Sequence, residues 1–336
     1  KVDNKSSLMN PTCFDESNPN LPPAVWAAVA EEKSECEAAH GLDCAAALNG
    51  RIARVPKSTT IALVNDMRIA KIRRVADQLV AAGVQVVLVG GPIGSGTRAV
   101  ATSLSNYLAA CAMPTEILHT CDFLKSTENE TETEGEGESN LLYDLVHSQG
   151  IDVKALKSAI SSSLASAQTS GLRCLIIQGL HALDSEVVDL SALGLAHLPM
   201  ATILATPLTP TRITELKLLT PEDIRTLRVL NYCFQNQIIE IPITKNKTEK
   251  QQHQDKKSMT SMTLSLMNEA IGLERNVWKC LNKRISTSAV GLIVIDTSCP
   301  YEAAYLKTAV QGLLRDVPLG AAERPTAKRL LSALDV

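Results

Sequence analysis

The sequence predicts an α/β protein: a three-layer parallel sheet preceded by an N-terminal helical extension. Three observations predict it. From residue 84 onward, short apolar runs alternate with longer stretches of helical period, the pattern of strands joined by right-handed crossovers. The runs "VQVVLVG" at 84–90, "LRCLIIQ" at 172–178, "MATILA" at 200–205 and "VGLIVID" at 290–296 are continuously apolar, as strands covered on both faces are. Ahead of them, residues 65–82 carry apolar side chains at helical spacing.

The elements follow in order. Residues 1–20 are polar and read as a flexible arm. Residues 24–39 read as a helix ending near Gly41, and residues 45–60 as irregular chain. In the helix at 65–82, Ile69, Ile72, Val75, Leu79 and Val80 share one face while Lys71 and Arg74 point elsewhere, and Gly83 ends it. After the first strand come a helix at 97–112, a strand at 115–120, and helical chain at 140–170 broken near Gly150. Beyond the third and fourth strands, residues 210–234 read as helix restarted at Pro221. Residues 238–243 read as a short edge strand because of Pro242, 259–285 as helix, and 301–315 as a closing helix. The domain reading is an extension or docking arm at 1–60 and one α/β domain at 61–336.

Two segments cannot join a core. Residues 127–139 hold six glutamates and no apolar side chain, so 128–139 is expected to be an acidic loop. Residues 244–258 form a basic loop whose five lysines lie at 245–257. Both read most simply as solvated chain. The lysines also offer a non-specific contact to RNA phosphates, although no aromatic residues interleave with them.

Composition narrows the function classes. The chain has 336 residues, a net charge of −3 and 3% aromatic residues, so its core rests on Leu, Ile, Val and Ala and it is no general polyanion binder. No apolar run reaches a membrane span. Nine scattered cysteines without a C-x-x-C pair argue against a zinc site and suit a reducing compartment inside the cell. The mitochondrial matrix is the compartment we expect, with cilium and cytoplasm as alternatives. The chain begins at Lys1, which fits a removed targeting peptide or a fragment start equally.

The stretch "GGPIGSGTR" at 90–98 carries the chemistry. Gly91, Gly94, Ser95 and Gly96 follow a strand and open a helix, as in a phosphate-binding loop of the form G-x-x-x-x-G-K-[ST]. Such a loop curls backbone N–H groups around phosphates at a helix N-terminus, while its lysine reaches the β and γ phosphates and its hydroxyl holds Mg²⁺. Here Thr97 occupies the lysine position and Arg98 the hydroxyl position. Arg98 leaves the helix about 100° away from Thr97, off the phosphates. Loss of one positioned donor costs about 10²–10³ in rate. The alternative is a glycine-rich turn with no ligand.

With "IIQGLHAL" at 176–183, the chain resembles the uridine kinase and phosphoribulokinase family of P-loop kinases, in which a strand of this kind ends in Glu-Gly. The resemblance implies a sheet of P-loop kinase type and a metal-associated acid at the position of Gln178, which is neutral here. It also implies a base near the end of the second strand. Asp122 in "ILHTCDFLK" matches that position, its alternative being a helix N-cap. His181 is a further ligand candidate or a structural histidine. "GLIVIDTSCPYEAA" at 291–304 is similar to the last strand and helix of many such kinases. Residues 87–118 also echo the kinase half of the bifunctional fructose-phosphate enzymes. Family lids carry clamping arginines; Arg212, Arg225 and Arg228 are the candidates, the last two sharing a helix face.

The expectation is a catalytically degenerate P-loop kinase-like protein that serves as a structural subunit among other protein subunits. ATP or GTP would bind weakly or not at all, and Mg²⁺ would find no acid at Gln178. The alternatives are an active nucleoside or sugar kinase with Asp122 as base, and a nucleotide-sensing subunit.

Overall fold

A computed structural model describes residues 22–48, 57–125, 147–170, 173–208, 211–214, 217–219, 221–236, 264, 265, 267 and 281–298. The expected segments 1–20, 128–139, 238–243, 244–258 and 301–315 lie outside these residues.

Five parallel strands form the sheet: β1 (Val86–Gly90), β2 (Thr115–His119), β3 (Cys174–Gln178), β4 (Met200–Thr206) and β7 (Ser288–Asp296). Their order is β2-β3-β1-β4-β7. Successive side chains of a strand point to opposite faces, which divides the core in two. Val86, Leu88, Leu175, Ile177, Leu204 and Val294 face one layer. Val87, Val89, Ile176, Ile203, Ile293 and Ile295 face the other.

The first layer holds α1 (Pro23–Leu48) and α4 (Val153–Ser170), through Val25, Val29, Leu156 and Ile160. The second holds α2 (Lys57–Ala81) and α3 (Thr97–Ala110), through Ile72, Val75, Ala76, Leu79, Val100, Leu104 and Leu108. Burying a Leu, Ile or Val contributes about 1.5–3 kcal/mol, so each helix is held by several such side chains. Within the segment 1–60, α1 is thus packed on the sheet. Glu32 of α1 also bonds Lys71 Nζ of α2 at 2.6 Å and accepts the N–H of Asp296 at 3.1 Å.

Several local expectations are corrected. The first helix runs through Gly41 to Leu48, because flanking alanines offset the roughly 1 kcal/mol cost of one glycine. The second begins at Lys57, so the chain at 45–48 and 57–60 is helical. Its buried stripe is Ile72, Val75, Ala76 and Leu79, while Val80, one residue and about 100° further round, is 39% exposed. The part 140–146 of the helix expected at 140–170 lies outside the described residues; Ser148–Gly150 form a 3-10 turn, and Asp152 caps α4 by accepting the N–H groups of Lys154 and Ala155 at 3.0 Å.

The largest correction lies at 211–219. The sequence reads it as helix; it is an antiparallel ribbon of β5 (Thr211–Thr214) and β6 (Lys217–Leu219). Thr211, Ile213 and Thr214 are β-branched and suit a strand. Helix α5 (Pro221–Asn236) starts only at Pro221, with Glu222 and Asp223 in its first turn at the positive end of its dipole. A last short helix, α6 (Leu281–Thr287), leads into β7. Its buried Arg284 donates to the carbonyls of Leu183, Asp184 and Val188, fixing the irregular chain that follows β3.

Candidate functional site

The strand order locates a crevice. From β1 the chain passes over β3 to reach β2; from β3 it passes over β1 to reach β4. Adjacent strands whose connections leave in opposite directions open a cleft at their carboxyl ends, where α/β proteins bind ligands. The loop at 91–96 and the turn Leu180–Leu183 meet at that point.

The loop takes its shape from close packing behind it. A Cβ on Gly91 would lie 2.0 Å from the carbonyl oxygen of Ala205, so only glycine lets β1 end against β4 in this way. Gly94 has φ +74°, and a side chain there would also meet the carbonyl of Arg225 at 2.6 Å. Gly96 caps α3 at φ 85°. The first N–H groups of α3 have no carbonyl within their own helix and sit at the positive end of its dipole.

Three carbonyls of the loop are bonded from behind. Arg225 Nε, on a side chain 1% exposed, donates to Ile93 O at 2.9 Å. Arg228 Nη1 donates to Gly94 O at 3.2 Å, and its Nη2 to Thr297 O at 2.8 Å. The hydroxyl of Thr297 donates to Ser95 O at 2.6 Å. The two arginines, expected as a lid clamp or as solvated surface, are packed against the loop in this structure, Arg225 buried and Arg228 half-buried. They brace the loop, and the i, i+3 spacing that puts them on one face of α5 is what allows it. Arg212 lies on the β5 strand instead. The hydroxyl of Ser95, itself 1% exposed, has no hydrogen-bond partner among the described residues.

At the mouth, the two positions that differ most from the phosphate-loop pattern meet each other. Gln178 Nε2 donates to Thr97 Oγ1 at 2.8 Å, and Gln178 Oε1 accepts from His119 Nδ1. The register explains the contact: β3 lies between β2 and β1, with Gln178 opposite His119 on one side and Val89 on the other. This chain of imidazole, amide and hydroxyl ties the ends of β2 and β3 to the start of α3. Nothing in the sequence marked His119; its position at the end of β2, level with Gln178, was the available signal.

Arg98 is exposed and lies across the cleft from the turn Thr120–Phe123, its Nη2 4.0 Å from Cys121 Sγ. Asp122 lies in that turn, exposed, with the Cys121 thiol 3.7 Å from its Oδ1. Among the described residues it caps no helix: the residue before the turn is His119. Burial and then the Asp122 charge push the Cys121 thiol up, and Arg98 opposes them. The structure therefore brings Asp122, Arg98, Thr97 and Gln178 to one cleft. His181 is buried in the turn after β3.

A cavity of about 400 Å³ opens on the flank of the loop, lined by Arg68, Ile72, Gly96, Ser103, Arg228 and Thr297 among others. Among the described residues, no group of three His, Cys, Asp or Glu side chains is arranged to hold a metal ion, and no helix is long and apolar enough to cross a membrane. The sequence matches no protein-family model and no curated protein.

Proposed function

We propose that this chain is a P-loop kinase-like protein that has lost phosphoryl transfer and serves as a structural subunit of a larger assembly. The observation that carries the reading is the hydrogen bond from Gln178 to Thr97. A transferring site needs positive charge on the phosphoryl oxygens and a carboxylate that organises Mg²⁺. Here both positions are neutral and bonded to each other, and Arg225 and Arg228 face the back of the loop. Asp122 remains at the mouth but has no metal-bound phosphate to work on. Docking to partner subunits falls to the charged segments 128–139 and 244–258, which hold nothing to bury.

The test joins an activity assay to a thermal melt. The expected result is no transfer from ATP or GTP to nucleosides or sugars, and no Mg²⁺-dependent rise in Tm. Transfer that Asp122→Ala abolishes would overturn the reading and restore an active kinase. In native extracts the chain should migrate well above its own 36.1 kDa; a monomer there would remove the assembly role.

A nucleotide-sensing subunit is the second reading. It is favoured by the braced loop, the hydroxyl of Ser95, which has no partner among the described residues, and the flanking cavity, whose volume lies within the range of small-molecule sites. A ligand at 100 times its Kd stabilises by about 2.7 kcal/mol, a shift of several degrees. On this reading ATP or GTP alone gives that shift, and Mg²⁺ adds nothing to it.

A further inference from the structure

Helix α1 is tied to the phosphate loop through one side chain. Val25, Val29 and Glu32 lie at i, i+4 and i+7, on one stripe of the helix, and all three are buried. The valines pack into the first layer of the core. Apolar burial is non-directional, so they hold α1 down without fixing where it stops along the sheet. Glu32 supplies the fixed point. Its Oε1 accepts the N–H of Asp296 at 3.1 Å, and its Oε2 takes Lys71 Nζ at 2.6 Å. A carboxylate so buried is tolerable because both oxygens are engaged, one of them by an opposite charge.

The residue after Asp296 is Thr297, on which two loop carbonyls depend. The Thr297 hydroxyl donates to Ser95 O at 2.6 Å. The Thr297 carbonyl accepts from Arg228 Nη2 at 2.8 Å, and Nη1 of the same guanidinium donates to Gly94 O at 3.2 Å. The N–H of Thr297 is anchored on β4, at Thr206 O, 3.1 Å away. Two consecutive peptide planes are thus held from different elements, and only φ and ψ of Asp296 join them. Release of the first plane lets the second turn, and the Thr297 hydroxyl and carbonyl move with it.

We propose that Glu32 is a latch through which α1 sets the phosphate loop. With α1 seated, the Asp296 N–H is held and Thr297 presents its hydroxyl and carbonyl in register with the loop. With α1 lifted, the plane between Ile295 and Asp296 is freed, and Gly94 O and Ser95 O lose their anchorage together. A partner protein that draws α1 off the sheet therefore slackens the loop. Glu32 is a positioning residue: it acts through Asp296 and Thr297. The latch works in the same way whether or not the loop takes a ligand.

Native-state amide exchange on the full chain reads it. The reporters are Ser95 and Val100, whose N–H groups are bonded to Pro92 O and Gly96 O; the references are Ile176 and Ile203 in the sheet. Glu32→Ala should quicken the reporters about tenfold relative to the references. Glu32→Gln keeps an acceptor for the Asp296 N–H, while Lys71 retains Glu35 at 3.7 Å, so most of the protection should return. Leu156→Ala, in α4 of the same layer, destabilises by a cavity and should quicken reporters and references alike. Coupling is reciprocal, so Thr297→Val should quicken the amides of α1 around Glu32. At Ser95 the double variant of Glu32→Ala and Thr297→Val should fall short of the product of the single effects. Should Glu32→Ala fail to fold, Val29→Ala, which loosens the seat of α1 and leaves the carboxylate, should quicken the reporters in its place. Reporters that keep pace with the references in the α1 variants overturn the proposal. So do single effects that multiply in full, α1 amides indifferent to Thr297→Val, or Glu32→Gln as loose as Glu32→Ala, which assigns the effect to charge and not to the bond.

Discussion

Gln178 and Thr97 stand 81 positions apart, and the amide of the first donates a 2.8 Å hydrogen bond to the hydroxyl of the second. Two departures from the phosphate-loop pattern are thereby one structural unit. A lysine at 97 facing Gln178, or a glutamate at 178 facing Thr97, puts an unmatched charge into a half-closed site. Each of Thr97→Lys and Gln178→Glu should cost about 1–3 kcal/mol. The double variant should recover about 1 kcal/mol or more of their sum, because the new charges meet. A urea double-mutant cycle measures this, and additive costs would show that the two side chains act separately.

Arg225 should matter to the loop although it lies outside it. Arg225→Met keeps the apolar stem but leaves the Ile93 carbonyl without its donor, at a cost of about 1–3 kcal/mol in denaturant unfolding. Arg228→Lys should cost about 1 kcal/mol, since an ammonium cannot span Gly94 O and Thr297 O as the guanidinium fork does.

Gly91→Ala should be as damaging as either. Its Cβ would fall 2.0 Å from the backbone oxygen of Ala205, so β1 or β4 must shift; we expect a loss of about 3 kcal/mol in thermal or urea unfolding. An unchanged Tm would mean that the loop does not pack on β4 in solution.

Cys121 reports on the mouth of the cleft. Asp122 raises its pKa and Arg98 lowers it. Alkylation at pH 8 should accordingly quicken in Asp122→Asn and slow in Arg98→Ala, because the thiolate is the reacting form. The reverse order would show that the three side chains are not neighbours.

Cys174 gives a pH signature. Burial pushes its thiol up to about 12, from 9.0 in the free residue. The folded state therefore holds a proton that the unfolded chain releases above pH 9. Stability from this group is full below pH 9 and is lost as pH rises toward 12, by about 1.4 kcal/mol per pH unit at most. Between pH 9 and 10.5 the wild-type protein should lose more stability than Cys174→Ala.

The parallel sheet was legible because its strands are continuous apolar runs, and Gly91 to Gly96 announced a loop between strand and helix. Thr97 and Gln178 each stood out as a departure, but that they bond to each other follows from strand order, which no run of residues displays. The ribbon at 211–219 was read as helix because its apolar residues fit either period over so short a length; pairing between β5 and β6 settled it. Arg225 and Arg228 were visible as a helix face. What that face meets, loop carbonyls over 130 positions earlier, is a tertiary fact. Gly41 ends no helix, since its neighbours outweigh it.

The bracing of the loop has a consequence for the order of synthesis. Residues 93–95 leave the ribosome long before their donors: Arg225 follows Ile93 by 132 positions, and Thr297 follows Ser95 by 202. At about 5–20 residues per second, ten seconds or more pass before the last donor exists. During that interval β1 and α3 are already translated, yet the turn between them lacks the partners that hold its shape. The nascent chain thus carries an unset hinge at its centre, and it sets only when β7 closes the sheet.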